Sequence, residues 1–137
     1  DREMKIAALI LLSTLCFAED IPDWVMSSIL RVETQSYYHN GTIKYVDKRR
    51  GAHGERGPFQ CTKAAFNTVR RSGEQFWMVE TDTKFADTIA RRYLHWLRSN
   101  YGREDWYRTL GMYNAGPNRT NKEYIRKIQN ARNNSKP

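Results

Sequence analysis

Ile21-Pro22-Asp23-Trp24-Val25-Met26-Ser27-Ser28-Ile29-Leu30-Arg31-Val32-Glu33-Thr34 is the stretch from which the fold can be read outward. Asp20 stands ahead of it as a helix N-cap, and Pro22 suits a first turn, where a missing N–H costs nothing. Trp24, Val25, Ile29 and Val32 then return at helical spacing, so one face of the helix is apolar and seeks a core. Glu33 arrives in the last turn. There the negative end of the helix dipole disfavours ionisation by about 0.3–1 kcal/mol. Adjacent Val32 belongs to the apolar stripe, so partial desolvation pushes the carboxyl pKa the same way. A glutamate on a helix is ordinarily a solvated charge. These arguments say what Glu33 is suited to do, which is to hold a proton near neutral pH, and no more.

Downstream, Asn40-Gly41 is a turn signal. Thr42-Ile43-Lys44-Tyr45-Val46 reads as a short strand, and residues 47–57 as a charged loop punctuated by glycine. A short helix over 62–71 stops near Gly73. The strongest helix covers about 82–100, where Phe85, Ala86, Ile89, Ala90, Tyr93, Leu94 and Leu97 form a wide buried stripe. Gly102 sits where a helix-ending glycine belongs. Residues 104–113 form a further short helix, broken at Asn114-Ala115-Gly116-Pro117. Thr120-Asn121-Lys122-Glu123 has capping-box spacing for a last helix bearing Tyr124, Ile125 and Ile128. No internal repeat or linker interrupts the series. The expectation is a single, mainly α domain with one short extended insertion.

Of the 137 residues, the first 18 read as a leader. Met4-Lys5 precedes the apolar run of residues 6–15, and Cys16-Phe17-Ala18 offers small residues for cleavage after Ala18. A span from 6 to 18 falls short of the roughly 20 residues that cross a bilayer. Asp1-Arg2-Glu3 before the methionine has no physical account. The domain expected to fold is therefore 19–137, a size that suits one core. The formal charge of +8 points to acidic partners: a cell-wall polymer, an anionic membrane or nucleic acid. Removal of Cys16 would leave Cys61 alone, so no internal disulfide staples the domain. Cys61 has no motif-paired histidine and reads as an inert buried thiol. His39, His53 and His95 lack metal-ligand spacing and read as surface or packing residues. Trp24, Trp77, Trp96 and Trp106 read mostly as core, and Lys48-Arg49-Arg50 as a solvated loop.

Four elements then combine. Glu33-Thr34 is followed by Gly54-Glu55-Arg56-Gly57-Pro58-Phe59-Gln60, by Tyr113-Asn114-Ala115-Gly116 after Met112, and by Tyr124-Ile125-Arg126-Lys127-Ile128. The set resembles the soluble lytic transglycosylase family, which shares a lysozyme-like α+β fold with goose-type lysozymes. The corresponding family elements are Glu-Ser, Gly-x-x-Gly-Leu-Met-Gln, Tyr-Asn-Ala-Gly and Tyr-Val-x-x-Val, in the same order. The resemblance spans about 24–128. It implies that Glu33 is the single catalytic acid/base, with Thr34 supporting it. Gly57, Phe59 and Gln60 are implied as substrate contacts, as are Tyr113, Asn114 and Ala115 on the cleft wall. Tyr124 is implied to reach towards Glu33. Glycine allows sharp turning and close approach to a sugar, and the glutamine amide offers donor and acceptor to N-acetyl and hydroxyl groups. The chain departs from the pattern at Pro58-Phe59, Thr34 and Met112. Proline stiffens the loop and removes a donor.

By this resemblance Glu33 protonates the leaving oxygen between N-acetylmuramic acid and N-acetylglucosamine. The substrate's N-acetyl group stabilises the cationic centre, and attack by the C6 hydroxyl leaves a 1,6-anhydromuramyl end. No cofactor is implied. A hydrolytic route would need a second carboxylate about 5–9.5 Å away. Asp47 and Glu55 stay open for that role, against the plainer reading that they pair with Lys48, Arg49, Arg50 or Arg56. The expected protein is exported to the periplasm or wall, of bacterial or phage origin, acts on peptidoglycan as a monomer, and serves a secretion, conjugation or phage apparatus. The rivals are a goose-type hydrolase, a non-catalytic wall-binding module, and a basic nucleic-acid-binding helical domain. An intact Glu33 argues against the wall-binding module. Nucleic acid is not expected, since no recognisable motif is present.

Overall fold

A computed structural model describes residues 19–135; the expected leader and its cut after Ala18 lie outside the described residues. The elements are α1 (Asp23–Thr34), β1 (Tyr37–His39), β2 (Thr42–Lys44), α2 (Lys63–Val69), α3 (Met78–Thr81), α4 (Thr83–Tyr101), α5 (Trp106–Ala115) and α6 (Lys122–Asn134). The protein is mainly α, as the periodicity predicts. No described helix is long and apolar enough to cross a membrane.

α4 is the central rod, and its ends follow the sequence signals. Asp82 accepts from the Phe85 N–H, and Gly102 closes the C-terminus with φ 115. Its stripe of Ala86, Ile89, Ala90, Tyr93, Leu94 and Leu97 is buried, and α2, α3 and α5 pack against it. α1 supplies Val25, Met26, Ile29 and Leu30, none of them exposed, and lies on α6 through Tyr124 and Ile128. The guanidinium of Arg132 sits 3.9 Å over the Trp24 ring, and Trp24 meets Tyr107 at 5.3 Å, which ties α1, α5 and α6 together. At the far end of α4 the buried Arg98 donates to both carboxylate oxygens of Glu19 and to Thr109, and covers Trp106.

Several local expectations need correction. α1 begins after Pro22, which itself occupies the N-cap with φ −57 and ψ 141; its carbonyl accepts from Val25, and Asp20 plays no capping role. The strand expected at 42–46 is shorter and pairs antiparallel with a partner the sequence reading missed, Tyr37 opposite Lys44. Asn40 and Gly41, at φ 50 and 75, make the tight turn between them. The cap of α6 is Asn121, accepting from the Tyr124 N–H, not Thr120; Glu123 instead pairs with Arg126. Trp77, expected in the core, is 55% exposed.

Candidate functional site

The end of α1 is welded to two loops by hydroxyls. Gln35 leaves the helix in the left-handed region, φ 56, and turns the chain so that Thr34 and Ser36 face inward. Thr34 donates to the Pro58 carbonyl at 2.8 Å, Ser36 lies 2.7 Å from the Thr34 hydroxyl, and the Val46 N–H donates to Ser36 at 3.1 Å. With the Thr34 proton committed to Pro58, the Ser36 proton goes to Thr34 and every hydroxyl is satisfied. The Asp47 N–H adds a bond to the Thr34 carbonyl at 2.9 Å. Glu33, one residue before this knot, is thereby held at a fixed place.

The loop that Thr34 grips is fastened elsewhere as well. Arg56 and Cys61 exchange backbone bonds at 3.0 and 2.9 Å across a turn closed by Gln60 N–H to Gly57 carbonyl, 3.0 Å. Gln60 sits at φ 50, a conformation unusual for a residue with a side chain. Its Nε2 spends both protons on the carbonyls of Arg49 and Gly57, each at 3.1 Å, so Oε1 is the end left to accept. Phe59 is driven into the core, and Tyr113 donates to its carbonyl at 2.7 Å. The Pro58 and Phe59 carbonyls are thus satisfied from opposite elements, α1 and α5.

Glu33, Gln60, Tyr113 and Asn114 line one cleft of about 270 Å³, together with Ala52, His53, Glu55 and Thr62. The Glu33 carboxyl is pushed from 4.5 up to about 7, by burial first and by the nearby Glu55 charge second; Arg49 and Lys127 pull weakly the other way. Glu55 accepts from the His53 N–H at 3.3 Å, and His53 Nδ1 lies 3.5 Å from its other oxygen. Gly51 permits this placement, since a Cβ there would stand 1.6 Å from Glu55 Oε2 and 2.9 Å from Gln60 Oε1. Two acceptors therefore crowd one spot and invite a hydroxyl or N–H donor. Tyr124 is buried, its hydroxyl has no hydrogen-bond partner among the described residues, and burial first and Glu33 second raise its pKa. Asp47, the other acid kept open, pairs with Arg49 at 3.3 Å as a loop charge and does not line this cleft.

Larger concavities of 640 and 730 Å³ flank the hairpin. Of the two acids in the second, Asp87 is engaged by Arg91 and Tyr38, and Asp23 belongs to the first turn of α1.

Gly57 and Phe59 were expected to contact substrate, and Thr34 to stand at the site in support of Glu33. All three are buried and shape the cleft from behind. Ala115 ends α5 half-buried and does not line the cleft. Sequence reasoning missed Ala52, His53 and Thr62 as cleft residues. For His53 the signal was its position beside Gly54-Glu55, in the glycine segment itself. Among the described residues no cluster of histidine, cysteine and carboxylates could hold a metal. Comparison with protein-family models, curated proteins and solved structures finds no match to this chain.

The elevated Glu33 pKa predicts a pH profile. A proton donor with pKa about 7 is loaded below neutrality and empties above it, so any reaction driven by that proton should slow about ten-fold per pH unit on the alkaline side. Glu55→Gln removes the negative neighbour that favours the protonated form. The alkaline limb should then move to lower pH. A limb that stays in place when kcat/KM is measured from pH 5 to 9 would show that the Glu55 charge does not act on the donor.

Proposed function

We propose that this chain is a peptidoglycan lytic transglycosylase with a lysozyme-like fold, exported to the periplasm or wall. The observation that carries the reading is Glu33, whose carboxyl is raised to about 7 and so keeps a share of its protons at neutrality, in a cleft walled by residues of the motif segments: Gln60 from the glycine loop, and Tyr113 and Asn114 from α5. Glu33 gives its proton to the glycosidic oxygen. The departing sugar takes the bonding pair, and positive charge grows on the anomeric carbon. The substrate's own acetamido oxygen lies close enough in such sugars to share that charge, so no protein nucleophile is required. Glu33, now a carboxylate, recovers a proton from the C6 hydroxyl as that oxygen closes the anhydro ring. The hydroxyl of Tyr124, buried near Glu33 and without a partner among the described residues, is a donor available to the carboxylate at that stage.

A second reading, hydrolysis, is favoured by Glu55. It places another carboxylate in the same cleft, anchored by the His53 N–H, and a carboxylate across from the acid can orient a water molecule. The products separate the two. Ring closure yields muramyl ends lighter by one water and inert to borohydride. Water attack yields reducible ends that take up heavy oxygen from labelled water. The expected result on purified peptidoglycan is anhydromuropeptides. Labelled, reducible ends would make the enzyme a lysozyme with Glu55 in its mechanism, and no cleavage at all would remove the enzymatic reading.

A further inference from the structure

Next to the cleft, and sharing His53 with it, opens a second pocket of 520 Å³. Its wall contains Arg56, Lys63 and Arg70, with Phe66, Phe76 and Trp77 as the apolar part, and no carboxylate. That composition is the reverse of the cleft itself, which holds Glu33 and Glu55. Glu55 faces the cleft, and two acids of the neighbouring elements are committed to other cations. Glu80 takes two bonds from Arg50 at 2.9 Å each, and Glu74 takes two from Arg92.

The three cations are therefore left in excess. Lys63 is exposed and has no ion-pair partner among the described residues. Arg56 lies 4.9 Å over the Phe76 ring, and its buried Nε–H has no acceptor among the described residues. Arg70 spends Nε and Nη2 on the Glu74 carbonyl oxygen, which leaves Nη1 without a named acceptor. Trp77 presents 55% of its surface at the rim. An exposed indole beside unpaired cations suits a ligand with flat or aliphatic surface and negative charge.

We propose that this pocket binds the carboxylate-bearing peptide attached to the sugar at the cleavage point. The inference rests on the peptidoglycan reading above. Unsubstituted amino sugars carry no anion to place among Arg56, Lys63 and Arg70, whereas the lactyl-linked peptide carries several carboxylates. His53 lines both the cleft and the pocket, so a peptide carried by a sugar between Glu33 and Gln60 has the basic wall next to it. The pocket then sorts substrates by the charge of the stem, and the acid-bearing cleft needs to accept only the neutral rings.

Binding to the Glu33→Gln protein, in which turnover is expected to be too slow to consume the probe, tests this. The probes are N-acetylglucosaminyl-N-acetylmuramyl-tetrapeptide with free carboxylates and the same compound with its carboxylates amidated. The free acid should bind about ten-fold tighter, the gain typical of a charge-assisted hydrogen bond. Lys63→Glu should bring the ratio of the two affinities close to one, and Lys63→Arg should restore it. An acidic residue in the first turn of α2 is compatible with the helix dipole, so the variant is expected to fold. Equal binding of the two probes, or a ratio indifferent to Lys63→Glu, overturns the stem site and leaves the glycan-cleaving reading standing. Failure of both probes to bind, with wild-type protein that leaves peptidoglycan uncut, overturns both.

Discussion

Glu33→Gln is expected to lower the rate of peptidoglycan cleavage by about 10³-fold, within the range a positioned proton donor contributes. Glutamine keeps the shape and can still donate an N–H, but it has no acidic proton to surrender to a leaving oxygen. The neighbours give this expectation its strength. The hydroxyl knot of Thr34 and Ser36 and the turn at Gln60 do not involve the Glu33 side chain, so the cleft should persist unchanged in the variant. Stability gives an independent reading of the same residue. The folded carboxyl, raised from 4.5 to about 7, keeps a proton through a range where the unfolded chain releases it. Below that window both states are protonated and nothing is lost. Across it the wild-type fold loses stability as pH rises, and above it the loss levels off at about 3 kcal/mol, the shift of 4.5 to about 7 taken at about 1.36 kcal/mol per pH unit. Glu33→Gln removes the penalty, so the variant should match wild type near pH 4 and melt higher than wild type at pH 8. Melting curves that differ equally at both values would mean that Glu33 titrates normally; full activity in the variant would remove it as the acid.

Gly57→Ala is expected to cost about 3–4 kcal/mol and to lower Tm by roughly 15 °C. At φ 81 any side chain is strained, and the added Cβ would stand 2.2 Å from the Val79 carbonyl oxygen, with the carbonyl carbon at 3.0 Å. Backbone at the start of the α3–α4 segment cannot swing aside as a side-chain tip would. Gly54→Ala is the matched control: the same φ of 81, but nothing within 4 Å of the new carbon. It should show only the conformational penalty of about 1 kcal/mol. Similar losses in the two variants would show that the Val79 contact relaxes cheaply. Activity should fall with Gly57→Ala even in molecules that remain folded, because the displaced turn carries Pro58, Phe59 and Gln60.

Much of the scaffold was legible because its signals are local. Asp82, Gly102 and Thr62 cap the helices they border, and the stripe of α4 needs only its own spacing to be recognised. Pro22 shows where local reading stops. Its fixed φ fits a first turn or an N-cap equally, and Ile21 tucked against the core decides for the cap. α3 has no capping side chain and only four residues, too few for a periodic pattern to appear. In the site, Glu33, Gln60, Tyr113 and Asn114 could be picked out because motif order marked them. Glu55 and His53 could not be assigned a side, since their direction depends on the Gly51 to Glu55 backbone bond and on the missing side chain at Gly51. Phe59 was misplaced for a related reason: the left-handed Gln60 reverses the chain beside it and sends the ring inward.

Cys61 gives the protein a built-in clock. Its sulfur is the one thiol among the described residues, sits directly behind Gln60, and is pushed by burial up to about 12. Cys61 is 8% exposed, and the thiolate that a thiol-specific reagent needs is scarce there, so labelling is slow while the turn is shut. The labelling rate of Cys61 therefore counts how often the Arg56–Cys61 clasp comes undone, and comparing that rate with global unfolding separates breathing of the cleft floor from melting of the whole domain. No foreign probe has to be installed to watch the floor of the cleft move.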